Sequence, residues 1–431
     1  MRLRTPDRTA LATTAVVAVA SLTLAACSGG GGTEGSGGSA GGSEGGPTEL
    51  LAWHGYTEAD GDVLQSIVDQ FNASQDDYEV KTEEMAWTSI SEKLLTSLGA
   101  GNGPNLVVQG VDTGLGYANQ GAFVSMQDYY DDEQYTENDN FYPNLVEQVT
   151  FDGEAYGVPM GTTAFAVYYN PALWQAAGLT EADYPTTVDE LLEVARTLTL
   201  DADGNGEPEQ YGFALPDQDA GLLSALLHTG GGDFITDGEN GLYSEENVAT
   251  LEQWQSAYVD DKISPTGMDA TAAMELFGSG RAAMIVNGPW EITSAASFGI
   301  EVGVFEWPGD WVHGVANYWY ATSMNDSEEE LAGVRAFSDW WNSRDMQVEW
   351  TESYYPPNRD DIEQSEFAYP IIATLAGFSN NAHYYATGIS TSVSDITAET
   401  DAMMTNIAQG GDVEELLQAA SDKVDGYLAN E

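Results

Sequence analysis

A chain of 431 residues is too long for one ordinary hydrophobic core and long enough for two domains. Hydrophobic residues make up 42% and aromatic residues 11%, which fills an interior and excludes disorder for most of the chain. Lys+Arg number 12 against 70 Asp+Glu, a formal net charge of -58, which excludes nucleic acid as a partner and repels anionic ligands while leaving neutral ones unpenalised. A surface this acidic repels itself at low ionic strength and is relieved at molar salt, where the Debye length is about 3 Å; a salt-rich habitat fits.

In chain order, Arg2, Arg4 and Arg8 form a basic opening, a short apolar run follows over residues 10–20, and then comes Leu24-Ala25-Ala26-Cys27. The run is too short to span a bilayer, and small residues precede the cysteine as a cleavage site requires. The stretch resembles a bacterial lipoprotein signal, with residues 1–26 removed and Cys27, the single cysteine, lipidated. No internal disulfide is then possible. Residues 28–46 are almost wholly Gly, Ser, Glu, Thr and Ala, so residues 27–47 read as a lipidated flexible tether spanning roughly 25 Å. Gly37-Gly38-Ser39-Ala40-Gly41 matches a hydrolase nucleophile pattern but has no strand before it and no helix after it.

The folded body begins near Thr48. Glu49 to Trp53 reads as a buried strand, and Val63, Leu64, Ile67, Val68 and Phe71 recur at helical spacing. Tyr78 to Thr82 is the next strand, Ile90 to Leu98 a helix ending at Gly99, and Leu106 to Val108 a third strand. Helical patterns return over Val188 to Leu198, Val248 to Tyr258, Leu331 to Trp341 and Val413 to Leu428. Such alternation predicts an α/β fold with parallel pairing and ligand sites at the carboxyl ends of the strands.

Several stretches resemble the family 1 extracellular solute-binding proteins of ABC sugar importers. They are Leu51-Ala52-Trp53-His54 with Gln70-Phe71-Asn72, Gly103-Pro104-Asn105-Leu106-Val107, and Tyr156-Gly157-Val158-Pro159 followed by Tyr168-Tyr169-Asn170 and Ala177-Gly178-Leu179. Pro185-Thr186-Thr187 with Asp189-Glu190-Leu191 follows, and then the most specific signature, Phe277-Gly278-Ser279-Gly280-Arg281-Ala282-Ala283-Met284 running into Asn287-Gly288-Pro289-Trp290. Asn105 and Pro171 depart from the family pattern, which has Asp and Lys there. The resemblance implies a two-lobe periplasmic-binding-protein-like fold (type 2) with a hinge and an interlobe cleft. Residues 48–160 and 313–360 would form the first lobe, and 161–312 and 361–431 the second, with crossings near Pro159–Thr163 and His313–Trp319. It also implies an extracytoplasmic monomer, held to the cell membrane only through Cys27, that delivers a carbohydrate ligand to the transmembrane subunits of an ABC permease.

Sugar recognition needs flat rings against the C–H face of a pyranose and fixed polar groups for its hydroxyls. Trp290 follows a turn that ends the apolar run Ala283 to Val286, which puts it at a strand's carboxyl end. Trp319 resembles the family's cleft segment near the second crossing, and Asp112 follows the Leu106 strand after a short loop. His54 and Tyr56 follow the first strand, and Trp87 follows a strand ending near Met85. Thr163 and Phe165 fall at the first crossing, where some relatives carry a Glu, and Tyr354 and Tyr355 precede Pro356-Pro357-Asn358, similar to a family loop. For each, a core or solvated role stands beside the ligand role. The only metal expected is calcium: Asp201, Asp203, Asn205 and Glu209, with the carbonyl of Glu207, alternate as in an EF-hand loop with Gly206 sixth, although Gly212 stands where the bidentate Glu belongs.

No H-E-x-x-H pair, Walker A loop or paired cysteines point to an enzyme, and nothing selects a carbohydrate-active pair among 70 acids. The stronger alternative is glycerol-3-phosphate or a glycerophosphodiester on the same fold. That ligand would need Arg or Lys in the cleft, with Arg344 and Arg359 as the cations placed to supply one.

Overall fold

The computed structural model describes residues 46–57, 59–142, 144–151, 153–236, 238–379, 382–385, 389 and 392–429. The expected signal, Cys27 and all but the end of the tether lie outside the described residues. Its strands, in chain order, are β1 (Thr48–His54), β2 (Tyr78–Glu84), β3 (Leu106–Gly110), β4 (Thr150–Phe151), β5 (Glu154–Ala155), β6 (Gly157–Ala164) and β7 (Ala166–Tyr169). There follow β8 (Tyr211–Ala214), β9 (Ile235–Thr236), β10 (Glu239–Asn240), β11 (Ala282–Asn287), β12 (Gly303–Phe305), β13 (Val312–Ala321) and β14 (Ala382–His383).

In the first lobe, β1 pairs in parallel with β2 and β3. The helix Ala59–Ser74 makes the first crossover and buries Leu64, Ile67, Val68 and Phe71, one face at helical spacing. The helix Trp87–Gly99 makes the second and buries Ile90 and Leu94. β13 then lies antiparallel to both β3 and β6 (Asn317 opposite Gly110, Gly314 opposite Ala164), and β14 joins β13 in parallel. The β6–β13 register shifts at Asn317/Tyr318, next to Pro159, which has no N–H to give the ladder. The second lobe's sheet runs β12-β7-β11-β8, with β8 and β11 parallel and β7 antiparallel to its neighbours.

Both sheets are therefore mixed, where the alternation predicted parallel pairing. The cause is the crossings. A strand that enters a lobe from the side on which β1, β3, β8 and β11 end must run against them, and β7 and β13 are those strands. The chain leaves the first sheet at Ala164 and enters the second at Ala166, with only Phe165 between them. It leaves the second sheet at Phe305 and re-enters the first at Val312, so the expected second crossing, His313–Trp319, lies inside β13.

The first lobe's core joins Leu50, Val158 and Met160 to Val334, Phe337, Trp341 and Trp350 of the helices Glu328–Trp341 and Arg344–Trp350. The second lobe's core joins Leu191, Phe213, Trp254 and Met284 to Ile396, Ile407, Leu417 and Val424 of the helices Val393–Ala408 and Val413–Leu428. No helix of the described residues is long and apolar enough to cross a membrane.

Candidate functional site

A cavity of about 690 Å³ opens where the carboxyl ends of β1, β3, β8 and β11 face one another. The first lobe contributes Gly55, Tyr56 and Asp60 after β1, Trp87 after β2, and Gln109 to Thr113 at the end of β3. The second contributes Gln218 to Gly221 after β8, Trp290 after β11, and Thr397 and Asp401 of the helix Val393–Ala408. His313 to Asn317 of β13, Tyr355, Tyr384 and Tyr385 also border the cavity, as do Thr57, Ser91, Thr271 and Met274.

Of the side chains the sequence singled out, five meet here: Tyr56, Trp87, Asp112, Trp290 and Tyr355. Tyr56 is almost wholly buried and takes a hydrogen bond from Asn317 Nδ2 at 2.9 Å. Its ring meets Trp87 edge-on at 5.3 Å and Tyr355 at 5.9 Å. Trp290 lies 6.3 Å from Tyr355, so rings from the two lobes face each other. Two glycines make this possible. A Cβ on Gly55 would strike the Trp87 indole and one on Gly288 the Trp290 indole, so each large ring lies flat on a bare backbone. Asp112 sits in the first turn of the helix Val111–Asn119, which starts directly at the end of β3 with no loop between them. Tyr385 donates to its Oδ2 at 3.1 Å, and burial pushes the carboxyl above its ordinary value, partly offset by that bond.

The other five lie outside the lining. Trp319 is fully buried against Phe337 (5.3 Å) and Trp341 (5.6 Å) in the first lobe's core. β13 runs antiparallel to β3, so moving from Asn317 to Trp319 moves away from the cavity; Asn317 stands opposite Gly110 and Trp319 opposite Val108. His54 ends β1 in the interior, and burial lowers its pKa to about 4. Thr163 is sealed in β6 and donates to the Ala164 carbonyl at 3.3 Å. Phe165 packs edge-on against Trp290 at 5.9 Å and His313 at 4.8 Å, behind the cavity wall. Tyr354, in a left-handed turn at φ 69, stacks on Tyr369 at 4.4 Å and turns away.

Sequence reasoning passed over Gln109, Asn317, Asp219 and Asp401. Gln109 and His313 are deeply buried, yet Gln109 Nε2 and His313 Nδ1 have no hydrogen-bond partner. Burial holds His313 down at about 4, so it is neutral. Asp219 caps the helix Ala220–Thr229, accepting from Leu222 N at 2.9 Å. That cap was legible as an acid just before an apolar run; Asp401, inside a helix the periodicity missed, was not. Burial and the neighbouring Asp219 and Asp217 push Asp401 up to about 6. Neither Lys nor Arg lines the cavity among the described residues. Arg344 pairs with Glu366, and Arg359 with Glu137 and Asp361.

The Asp201 loop lies elsewhere, on the surface between the helix Val188–Leu198 and β8. Asp201, Asp203 and Glu209 bring carboxylate oxygens within 4.8 Å of one another. Asp201 Oδ1 accepts from Gly204 N (2.7 Å) and Asn205 N (3.1 Å), its Oδ2 from Gly206 N (2.8 Å), and Asn205 Oδ1 from Glu207 N (2.7 Å). Lys262 Nζ reaches Glu207 Oε1 at 2.8 Å and the Gly206 carbonyl. The oxygen donors suit calcium in kind. Gly212 lies within β8 and offers no side chain.

Comparison with known proteins agrees with this architecture. A maltotriose-binding protein of Pyrococcus abyssi is 28% identical over 270 residues, 62% of this chain and 55% of that protein. An sn-glycerol-3-phosphate-binding periplasmic protein of Rhizobium meliloti is 23% identical over 321 residues, 70% of this chain and 73% of that protein. The chain spans about half the length of curated relatives such as the first of these. Among solved structures, an ABC substrate-binding protein of Listeria monocytogenes in complex with cycloalternan superposes with a TM-score of 0.77 at 18% identity, covering 89% of this chain and 99% of that one. Maltose-bound MalE3 of T. maritima gives 0.76 at 20% identity, covering 88% and 99%. These likenesses establish the two-lobe fold. The family model described as bacterial extracellular solute-binding protein matches residues 66–384, a span that takes in elements of both sheets. The chain belongs to the bacterial extracellular solute-binding proteins.

Proposed function

We propose that this protein captures a carbohydrate in the cavity between its lobes and hands it to the transmembrane subunits of an ABC import permease. The observation that carries the reading is the wall: aromatic rings from both lobes, with amide and carboxylate groups between them and no cation among the described lining residues. Rings suit the C–H faces of a pyranose, and Gln109 Nε2 and His313 Nδ1 are buried polar atoms that a hydroxyl would satisfy. Leaving such groups unpaired costs roughly 1–3 kcal/mol each. A guest touching Trp290 and Tyr56 together stabilises the closed arrangement through contacts that an open one lacks, and the permease reads the closed face. In this reading Cys27 carries the lipid that holds a monomer at the outer face of the cell membrane, residues 28–46 are the tether, and no chemistry is done on the ligand.

The test is a thermal-shift screen of the purified protein against mono- and oligosaccharides, with glycerol-3-phosphate alongside. A sugar at a hundred times its Kd adds about 2.7 kcal/mol of stability, and glycerol-3-phosphate adds none. A shift with glycerol-3-phosphate alone would replace sugar with a phosphomonoester.

The Asp201 loop supports a separate, structural proposal. Asp201, Asp203, Asn205 and Glu209, with the Glu207 carbonyl, hold a calcium ion weakly, at a Kd of roughly 10⁻⁴–10⁻³ M in the absence of a bidentate twelfth ligand. Calorimetry that records no heat with calcium chloride, together with a melting curve unmoved by chelator, would end this idea.

A further inference from the structure

Stacking and hydroxyl pairing leave one property of the cavity unused, the charge on its walls. Four half-buried carboxylates line it: Asp60 and Asp112 on the first lobe, Asp219 and Asp401 on the second. His313 is neutral there, and no Lys or Arg joins them among the described residues. Three of the four have donors in hand. Asp60 accepts from Gly61 N at 2.9 Å, Asp112 from Tyr385, and Asp219 from Leu222 N. Asp401 differs, because its Oδ1 is out of water and has no hydrogen-bond partner. Two other sets of inward-facing acids are supplied: Asp217 takes Gly267 N (2.7 Å) and Met268 N (3.1 Å), and Glu137 and Asp361 flank Arg359. Independently of the acids, the deeply buried Gln109, which lines the same cavity, has an Nε2 with no hydrogen-bond partner, a donor that a polar guest would satisfy.

Resting on the carbohydrate reading, we infer that the guest is a saccharide bearing a protonated amine, an amino sugar or a short basic oligosaccharide, with its ammonium between Asp219 and Asp401. A hydroxyl brings one donor and no charge, so it can pair with one carboxylate but leaves the repulsion between the two in place. An ammonium brings three donors and a full positive charge. Charge-assisted hydrogen bonds are about twice as strong as neutral ones, and the half-buried setting screens them less than the surface would. The same wall repels phosphate esters, which separates this guest from the glycerol-3-phosphate alternative by sign of charge.

The experiment is calorimetry on the purified protein with matched pairs of probes: D-glucosamine against D-glucose, D-galactosamine against D-galactose, and chitosan dimer to tetramer against the corresponding cello-oligosaccharides. At least one amine is expected to bind ten-fold or more tightly than its neutral partner. N-acetylation should abolish that preference, molar salt should narrow it, and Asp401→Asn should bring the ratio close to one. Asp219→Asn should narrow it too, since Asn keeps the helix cap while losing the charge. Circular dichroism and melting of each variant check that it is folded. Equal or tighter binding of the neutral partner in every pair overturns the inference and leaves the carbohydrate reading standing, as does a preference that survives both substitutions. Binding of neither series overturns the inference, and the carbohydrate reading is then decided by the wider saccharide screen.

Discussion

Trp290 borders the cavity with its indole lying over Gly288, whereas Trp319 is sealed between Phe337 and Trp341, so truncation should separate binding from stability. Trp290→Ala is expected to weaken sugar binding by about 2 kcal/mol, roughly 30-fold, with a small change in melting temperature; calorimetry reads the first and a thermal scan the second. Trp319→Ala should cost about 3–5 kcal/mol of folding free energy in denaturant titration, with the affinity of the folded protein little changed. His54 and His313 give a pH signature. Burial holds both near 4, below the usual 6.5, so they are neutral when folded. Unfolded, they take a proton near 6.5, so their contribution is complete above that pH and is lost as pH falls toward 4, on the order of 3 kcal/mol each. Asp339 and Asp401, raised to about 6, act in the opposite sense below pH 6, discounted because they are half-exposed. The stability difference between wild type and His54→Gln/His313→Gln should therefore shrink between pH 6.5 and 4; a constant difference would contradict buried neutral imidazoles. Which side chains reach the cavity was half legible in the sequence. Residues directly after a strand, such as Tyr56 and Trp290, declare themselves by position. Asn317 and Trp319 are two apart on one strand, and only the direction in which that strand runs decides between them.

At the scale of elements, caps fix helix ends that apolar spacing leaves open. The helix Val188–Leu198 begins where Thr187 accepts from Glu190 N at 3.2 Å while Glu190 turns back to Thr186 N at 2.8 Å. Its start follows from the sequence for that reason. Thr187→Ala should cost about 1 kcal/mol in urea titration and leave ligand affinity unchanged, since Thr187 does not border the interlobe cavity. The helix Glu328–Trp341 starts three residues before its apolar face does, because Ser327 and Glu330 close a capping box around a first turn made of glutamates. The helix Val393–Ala408 went unread since Asp395, Glu399, Thr400 and Asp401 dilute its apolar pattern, and with it Asp401 escaped notice. Strand direction was illegible for a different reason. The sequence marks Tyr168-Tyr169-Asn170 and His313 to Trp319 only as family stretches, not as strands, and the antiparallel sense of β7 and β13 comes from entering each lobe through the crossing, a property of the route between lobes.

For the whole molecule, a net charge of -58 makes ionic strength a structural variable. The melting temperature should rise as potassium chloride increases from 0.1 to 1 M, while the Debye length contracts from about 10 Å to 3 Å; a steady fall over that range would show that self-repulsion is not what limits the fold. The junction of the lobes has a mechanical consequence of its own. Phe165 N donates to the His313 carbonyl at 2.8 Å, Ala164 faces Gly314, and His313 pairs with His383, so three lengths of backbone lie clamped side by side where the lobes meet. A band of linked strands flexes across its width far more readily than it shears or twists. The lobes of this protein are thus expected to part like the covers of a book, along one path, so that every capture event ends in the same outward shape whatever molecule lies between the pages.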